Sequence, residues 1–138
     1  MLMTVQFGEE SFSAPVYIIA DATGIFIKIM NDFGIDMGVL EYDGDSVLLD
    51  CAIVPQKLKG EYLINEFQNA FYESVALKEN LAGSRVSLVL EQNKEDGSYV
   101  RKMYDGKKII EEVFFLADGK IEINNILRNY KIIFTPSL

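Results

Sequence analysis

The sequence predicts an α+β domain built mainly from antiparallel β-strands. Four Asp-Gly pairs, which supply the positive backbone angles of tight turns, separate short runs of alternating apolar residues. One stretch, residues 60–81, has apolar residues at helical spacing instead. The 138 residues contain no visible linker, so we expect a single domain over residues 1–138. Together these features predict about nine to ten strands, arranged as two β-meanders that flank one central helix.

The first predicted meander lies before Pro55 and has five strands. Residues 1–7 alternate between apolar and polar, and four more β-rich runs follow at residues 16–20, 25–29, 35–39 and 47–54. The last two runs form a hairpin around Asp43-Gly44. A two-residue loop at that pair places Tyr42 opposite Asp45, whereas a loop at Gly44-Asp45 moves the pairs but keeps the same two faces. The face predicted to be core carries Asp36, Gly38, Leu40, Tyr42, Asp45, Val47, Leu49 and Cys51.

The predicted helix runs from about Gly60 to Leu81. Its apolar stripe contains Leu63, Phe67, Ala70, Phe71 and Val75, and Gly83 is a suitable stop. A second stripe contains Tyr62, Glu66, Asn69 and Glu73, which we interpret as the solvent face of an amphipathic helix.

The second predicted meander follows the helix. Its strands are expected at residues 86–91, 99–104, 107–116, 120–123 and 132–134. Residues 124–129 are compatible with strand, loop or a short helical turn, and the pattern does not choose among them.

The net charge of −8 is concentrated in the first part of the chain. Residues 1–56 hold nine acidic residues and one basic residue, Lys28, whereas residues 57–138 hold twelve of each. Such a division indicates one negative surface, which favours a basic partner and opposes binding to nucleic acid or to an anionic membrane. A small basic cluster, formed by Arg101, Lys102, Lys107 and Lys108 beside Tyr99 and Tyr104, is interpreted as an edge hairpin protected by its charges.

The residue types that carry most enzyme chemistry are missing or isolated. Histidine is absent, which excludes Ser-His-Asp and Cys-His catalysis and the common zinc sites. Cys51 is the only cysteine and lies in an apolar run. Glu111 and Glu112 are adjacent on a predicted strand, so they point to opposite faces and do not form a catalytic pair. We therefore expect no catalytic residue, no cofactor and no metal site.

The same features suggest where the chain acts. Unpaired cysteine is typical of a reducing compartment, so we expect a cytoplasmic protein. The first residues lack the basic start and apolar run of a signal peptide, and no apolar stretch is long enough to span a membrane.

The acids around the predicted hairpin are the candidate partner-binding residues. They are Asp32, Asp36, Glu41, Asp43, Asp45 and Asp50. In size, acidity and lack of catalytic residues, the chain resembles immunity proteins of bacterial contact-dependent and other polymorphic toxin systems. The resemblance implies a non-enzymatic protein that binds and neutralises a basic, nuclease-type toxin.

Three alternatives stay open at this point. The acids can simply be solvated groups on a half-buried sheet. The chain can be an acidic secretion chaperone, although many of those begin with a helix, or a small ligand-binding or enzymatic β-rich domain with a carboxylate-lined pocket. The oligomeric state is not predicted.

Overall fold

The structure, a computed structural model, describes residues 1–93 and 95–137, and it is an α+β fold dominated by antiparallel β-strands. Ten described strands form one open sheet. The strands are β1 (Leu2–Phe7), β2 (Glu10–Asp21), β3 (Gly24–Met30), β4 (Asp36–Tyr42), β5 (Val47–Cys51), β6 (Val86–Gln92), β7 (Tyr99–Asp105), β8 (Lys108–Phe115), β9 (Ile121–Asn125) and β10 (Tyr130–Thr135).

The strand order is β5-β4-β3-β2-β1-β10-β9-β8-β7-β6. Every neighbouring pair is consecutive in the chain except β1 and β10, which meet at the centre of the sheet with Val5 opposite Ile132. Short turns therefore make most of the connections. At the turn between β7 and β8, Gly106 has φ of 62°, a conformation that glycine adopts without strain.

The predicted single helix is wrong, because the structure has two helices, α1 (Gly60–Phe71) and α2 (Ser74–Leu81). The chain is extended at Tyr72, with φ of −75° and ψ of 149°. In an unbroken helix the carbonyl of Asn69 would accept the N–H of Glu73. It accepts a hydrogen bond from Arg101 Nη1 of β7 instead, at 2.6 Å. The sheet therefore satisfies the end of α1, and the helix stops there.

Both helices lie between β5 and β6 in the chain, and α1 packs on one side of the sheet, here called the inner face. Phe67 of α1 contacts Phe134 of β10, with ring centroids 5.0 Å apart. At the other end of α1, a Cβ on Gly60 would lie 2.9 Å from Val47 Cγ1, so only glycine fits this close approach. Neither helix is long and apolar enough to cross a membrane, in the part of the chain that the structure describes.

The core fills the space between α1 and the inner face. Every strand from β1 to β4 and from β8 to β10 contributes at least one fully buried apolar residue, as α1 does. The members with the largest buried side chains are Met3, Ile27, Ile29, Leu40, Leu58, Leu63, Ile123, Ile132 and Phe134. Each such side chain contributes about 1.5–3 kcal/mol through burial.

The segment that the sequence left open forms the end of β9 and a turn. Strand β9 continues to Asn125, whose side-chain oxygen accepts the Arg128 N–H at 2.7 Å. Asn129 then has φ of 59°, and β10 begins at Tyr130. Asparagine is one of the few residues other than glycine that tolerates this left-handed conformation.

Candidate functional site

The charge division in the sequence becomes a spatial division in the sheet. Strands β1 to β5 are neighbours in the sheet and make up one half of it, and they lie within the acidic residues 1–56. The other half, β10 to β6, belongs to the electrically neutral part of the chain. One half of the sheet therefore carries the excess negative charge.

Of the two loop positions predicted for the β4–β5 hairpin, the structure has the one at Gly44-Asp45. Tyr42 lies opposite Val47, and Glu41 lies opposite Leu48, so the loop centres on Gly44-Asp45. The predicted core face is confirmed for the apolar residues, because Leu40 is buried while Val47, Leu49 and Cys51 pack against the core.

The turn of this hairpin is organised by Asp43. Its Oδ1 accepts the backbone N–H of Asp45 at 2.9 Å and that of Ser46 at 2.8 Å. These hydrogen bonds, above all the one from Ser46, hold the pKa of Asp43 below its ordinary value. Asp43 thus builds the turn, while Asp45 is exposed beside it.

Asp36 was predicted on the core face, and this assignment is wrong. A bulge shifts the pairing of β3 with β4, so that Asp36 lies opposite Met30 while Gly38 lies opposite Ile29. Ile29 is buried, so Met30 and its partner Asp36 belong to the opposite side, here called the outer face. There the Asp36 carboxylate lies 3.3 Å from the Lys28 ammonium group.

The outer face of β2 to β5 combines carboxylates with exposed apolar side chains. Two rows of cross-strand neighbours run over the four strands, and each row contains one acid. The first row is Ile19, Phe26, Glu41 and Leu48, and the second is Tyr17, Lys28, Val39 and Asp50. We call these eight residues together with Asp36 the acidic face. Tyr17, Ile19 and Leu48 are 58%, 47% and 55% exposed, which is high for large apolar groups.

The six predicted binding acids do not all converge on this face. Asp36, Glu41 and Asp50 belong to it, Asp32 lies in the loop before β4, and Asp43 and Asp45 lie in the turn after β4. Because β4 has seven residues, those two ends are about 20 Å apart. The acids therefore border an elongated surface instead of forming one compact cluster.

A second group of polar residues lies buried between α1 and the sheet, and the sequence interpretation missed it. Glu66 and Asn69 were assigned to a solvent face, but they are 0% and 6% exposed. They face Glu111 of β8 and Asn125 of β9, which are also buried. The amides of Asn69 and Asn125 both donate to the Glu111 carboxylate, at 2.5 and 3.2 Å. We call Glu66, Asn69, Glu111 and Asn125 the buried polar cluster.

Burial dominates the electrostatics of this cluster. It raises the pKa of Glu66 well above its ordinary value, and the neighbouring Glu111 carboxylate raises it further. Burial also raises the pKa of Glu111, while the adjacent Glu66 carboxyl group and the hydrogen bonds from the amides of Asn69 and Asn125 act in the opposite direction. Two adjacent buried carboxyl groups do not both ionise at neutral pH, so we infer that Glu66 keeps its proton.

The basic residues of β7 and β8 do not form an edge hairpin as predicted, because β7 pairs with β6 and β8 pairs with β9. Arg101 is buried, and its guanidinium group stacks over the Phe115 ring at 4.7 Å. With its hydrogen bond to Asn69, this residue holds the end of α1.

The family to which the chain belongs follows from comparison with known proteins. Residues 2–138 match the model of a family described as protein of unknown function, DUF3261. The chain belongs to this family. No curated protein and no solved structure matches it. The family description names no activity or ligand.

The buried polar cluster and the acidic face differ in their accessibility to solvent and to other molecules. The carboxyl groups of the buried polar cluster are shielded from solvent by α1 and the strands, so they serve to join the helix to the sheet. No group of three or more possible metal-ligating acids or cysteines occurs among residues 1–93 and 95–137. The acidic face, in contrast, is open and is suited to contact with another macromolecule.

Proposed function

We propose that this chain is a non-enzymatic binding protein whose acidic face contacts a basic protein partner. The observation that carries the proposal is the composition of that face. The exposed Leu48 lies directly opposite Glu41 on the neighbouring strand, and the exposed Tyr17 belongs to the same row across the four strands as Asp50. Apolar groups bordered by charge are typical of protein–protein interfaces, in which the apolar groups supply affinity and the charges select the partner.

The charge of the whole half-sheet supports the same proposal. Within residues 1–56 a single base, Lys28, accompanies nine acids, and Lys28 is already paired with Asp36. A surface with so little positive charge attracts a basic protein over long distances and repels nucleic acid. Association should therefore be fast at low salt and slower as salt is added.

In its narrower form, the proposal is that the partner is a nuclease-type toxin and that the chain is its immunity protein. A nuclease must present positive charge to hold phosphate, and the acidic face offers carboxylates to that same positive site. Neutralisation would then result from blocking the substrate. This form includes action in the cytoplasm, where the free Cys51 would stay reduced.

Affinity capture from the native cell tests both forms. The tagged wild-type chain and the Glu41→Lys/Asp50→Lys variant are used in parallel, and bound proteins are identified by mass spectrometry. We expect a basic protein that binds the wild type and is lost from the variant. Capture of an acidic protein, or equal capture by both chains, would contradict the general proposal; a basic partner without nuclease activity would contradict only the narrower form.

A further inference from the structure

Strand β6 forms one edge of the sheet, and its outer side is unpaired among the residues that the structure describes. The strand is seven residues long, VSLVLEQ, and contains no lysine, arginine or proline. Val89 and Leu90 are 43% and 44% exposed. Natural edge strands are usually shortened, charged or covered, because an open edge is a template for pairing with another strand.

The sequence of β6 is complementary to itself in the antiparallel direction. When Val89 is placed opposite its own copy, all seven residues pair. Leu88 then lies opposite Leu90, and Glu91 lies opposite Ser87, so no like charges meet. With a two-fold axis through Val89, the two residues of every pair are both even-numbered or both odd-numbered. Their side chains therefore point to the same face of the combined sheet, so the inner faces of the two copies remain continuous.

The charge division favours this edge over the opposite edge. β6 belongs to residues 57–138, which are neutral overall, whereas β5 belongs to the half that carries the net charge of −8. Two copies that meet at β6 keep their acidic halves at the far ends of the combined sheet. Two copies that meet at β5 would bring those halves together, which costs free energy.

We propose that β6 is a homodimer interface, in which two chains pair antiparallel about Val89 to form a continuous twenty-stranded sheet. The acidic face stays free in this dimer, since β2 to β5 are distant from the axis. One strand pair buries less area than a standard interface of about 1,600 Å², so we expect a reversible dimer with a dissociation constant in the micromolar range.

Cysteine cross-linking tests the register directly. In a Cys51→Ser background, Val89→Cys places two thiols opposite each other across the axis. Ser87→Cys is the matched control, because it lies on the same strand and side but about 14 Å from its own copy. Leu48→Cys is the control for the β5 edge. On mild oxidation we expect a covalent dimer with Val89→Cys and at least tenfold less with each control.

Sedimentation of the unmodified chain supplies the second measurement. The wild type should be dimeric near 1 mM, and Val89→Lys should be monomeric with an unchanged circular dichroism spectrum. A wild type that stays monomeric at that concentration overturns the proposal. So does a dimer that Val89→Lys leaves intact, or cross-linking at Ser87 or Leu48 as efficient as at Val89. Extended fibres instead of closed dimers would also contradict it.

Discussion

The Glu66 carboxyl group of α1 lies against the Glu111 carboxylate of β8, and the two side chains are buried from solvent. Asn69 of α1 donates to the same Glu111 carboxylate. Helix α1 is therefore joined to the sheet by polar contacts as well as by the apolar core. The electrostatic cost of this arrangement depends on whether Glu66 carries its proton, which makes the joint sensitive to pH.

Stability should fall as the pH rises through the pKa of Glu66 in the folded protein. Folding raises this pKa above the ordinary value of 4.5, so the folded chain retains a proton that the unfolded chain releases. The stabilising effect is thus complete below pH 4.5 and is lost towards alkaline pH. The measurement is the free energy of unfolding in urea from pH 5 to pH 8.5.

Glu66→Gln is the matched variant for this prediction, because glutamine keeps the size and polarity but does not titrate. Relative to it, the wild type should lose stability as the pH rises from 5 to 8.5. Carboxylates away from the buried polar cluster are the same in both chains, so they cancel in the difference, which then reports the coupled titration of Glu66 and Glu111. Parallel pH profiles for the two chains would show that Glu66 does not titrate differently on folding.

Replacing Arg101 should destabilise the end of α1. In Arg101→Met the Asn69 carbonyl loses its donor, and the contact with the Phe115 ring is weakened. We expect a loss of about 1–3 kcal/mol in the free energy of unfolding. The control is Lys102→Met on the same strand, whose ion pair with the exposed Glu91 is open to solvent on the Glu91 side and should contribute less than about 1 kcal/mol. Equal losses for both variants would contradict the assigned role.

Gly38 should tolerate no side chain, because β4 and β5 approach closely there. A Cβ at this position would lie 2.3 Å from the Asp50 carbonyl oxygen and 2.5 Å from Cys51 Cβ. Gly38→Ala should cost about 2–4 kcal/mol and make the Cys51 thiol react faster with a thiol reagent. Gly34→Ala is the control variant. A Cβ at Gly34 would meet no neighbouring atom, so only the positive φ of 79° opposes the substitution there. An unchanged reaction rate of Cys51 would disprove the tight contact.

Much of the fold was accessible from the sequence because the signals were local. The Asp-Gly turns and the apolar alternation predicted ten strands near their positions in the structure, although β2 begins at Glu10, before the predicted run 16–20, and β5 ends at Cys51 instead of residue 54. The stop at Gly83 follows the end of α2 at Leu81. The break at Tyr72 was not accessible, since its cause, Arg101, is distant in the chain. Likewise, no local signal revealed the bulge that moves Asp36 to the outer face.

The buried polar cluster was missed for a related reason. An amphipathic pattern separates two sides of a helix but does not identify which polar residues meet a buried partner. The stripe of Glu66 and Asn69 was visible, and so was Glu111, next to Glu112 in a strand that is otherwise mostly apolar. Only the strand order, which places β8 and β9 under α1, shows that these groups meet.

The most direct test of the central claim is the affinity of the captured partner for two variants with the same change in charge. Glu41→Lys/Asp50→Lys alters the acidic face, and Glu112→Lys/Glu122→Lys alters the outer face of β8 and β9. Asp43 is left unchanged because its carboxylate builds the hairpin turn. The account predicts at least tenfold weaker binding, about 1.4 kcal/mol, for the first variant and little change for the second. Equal weakening by both variants, or no weakening by the first, would contradict it.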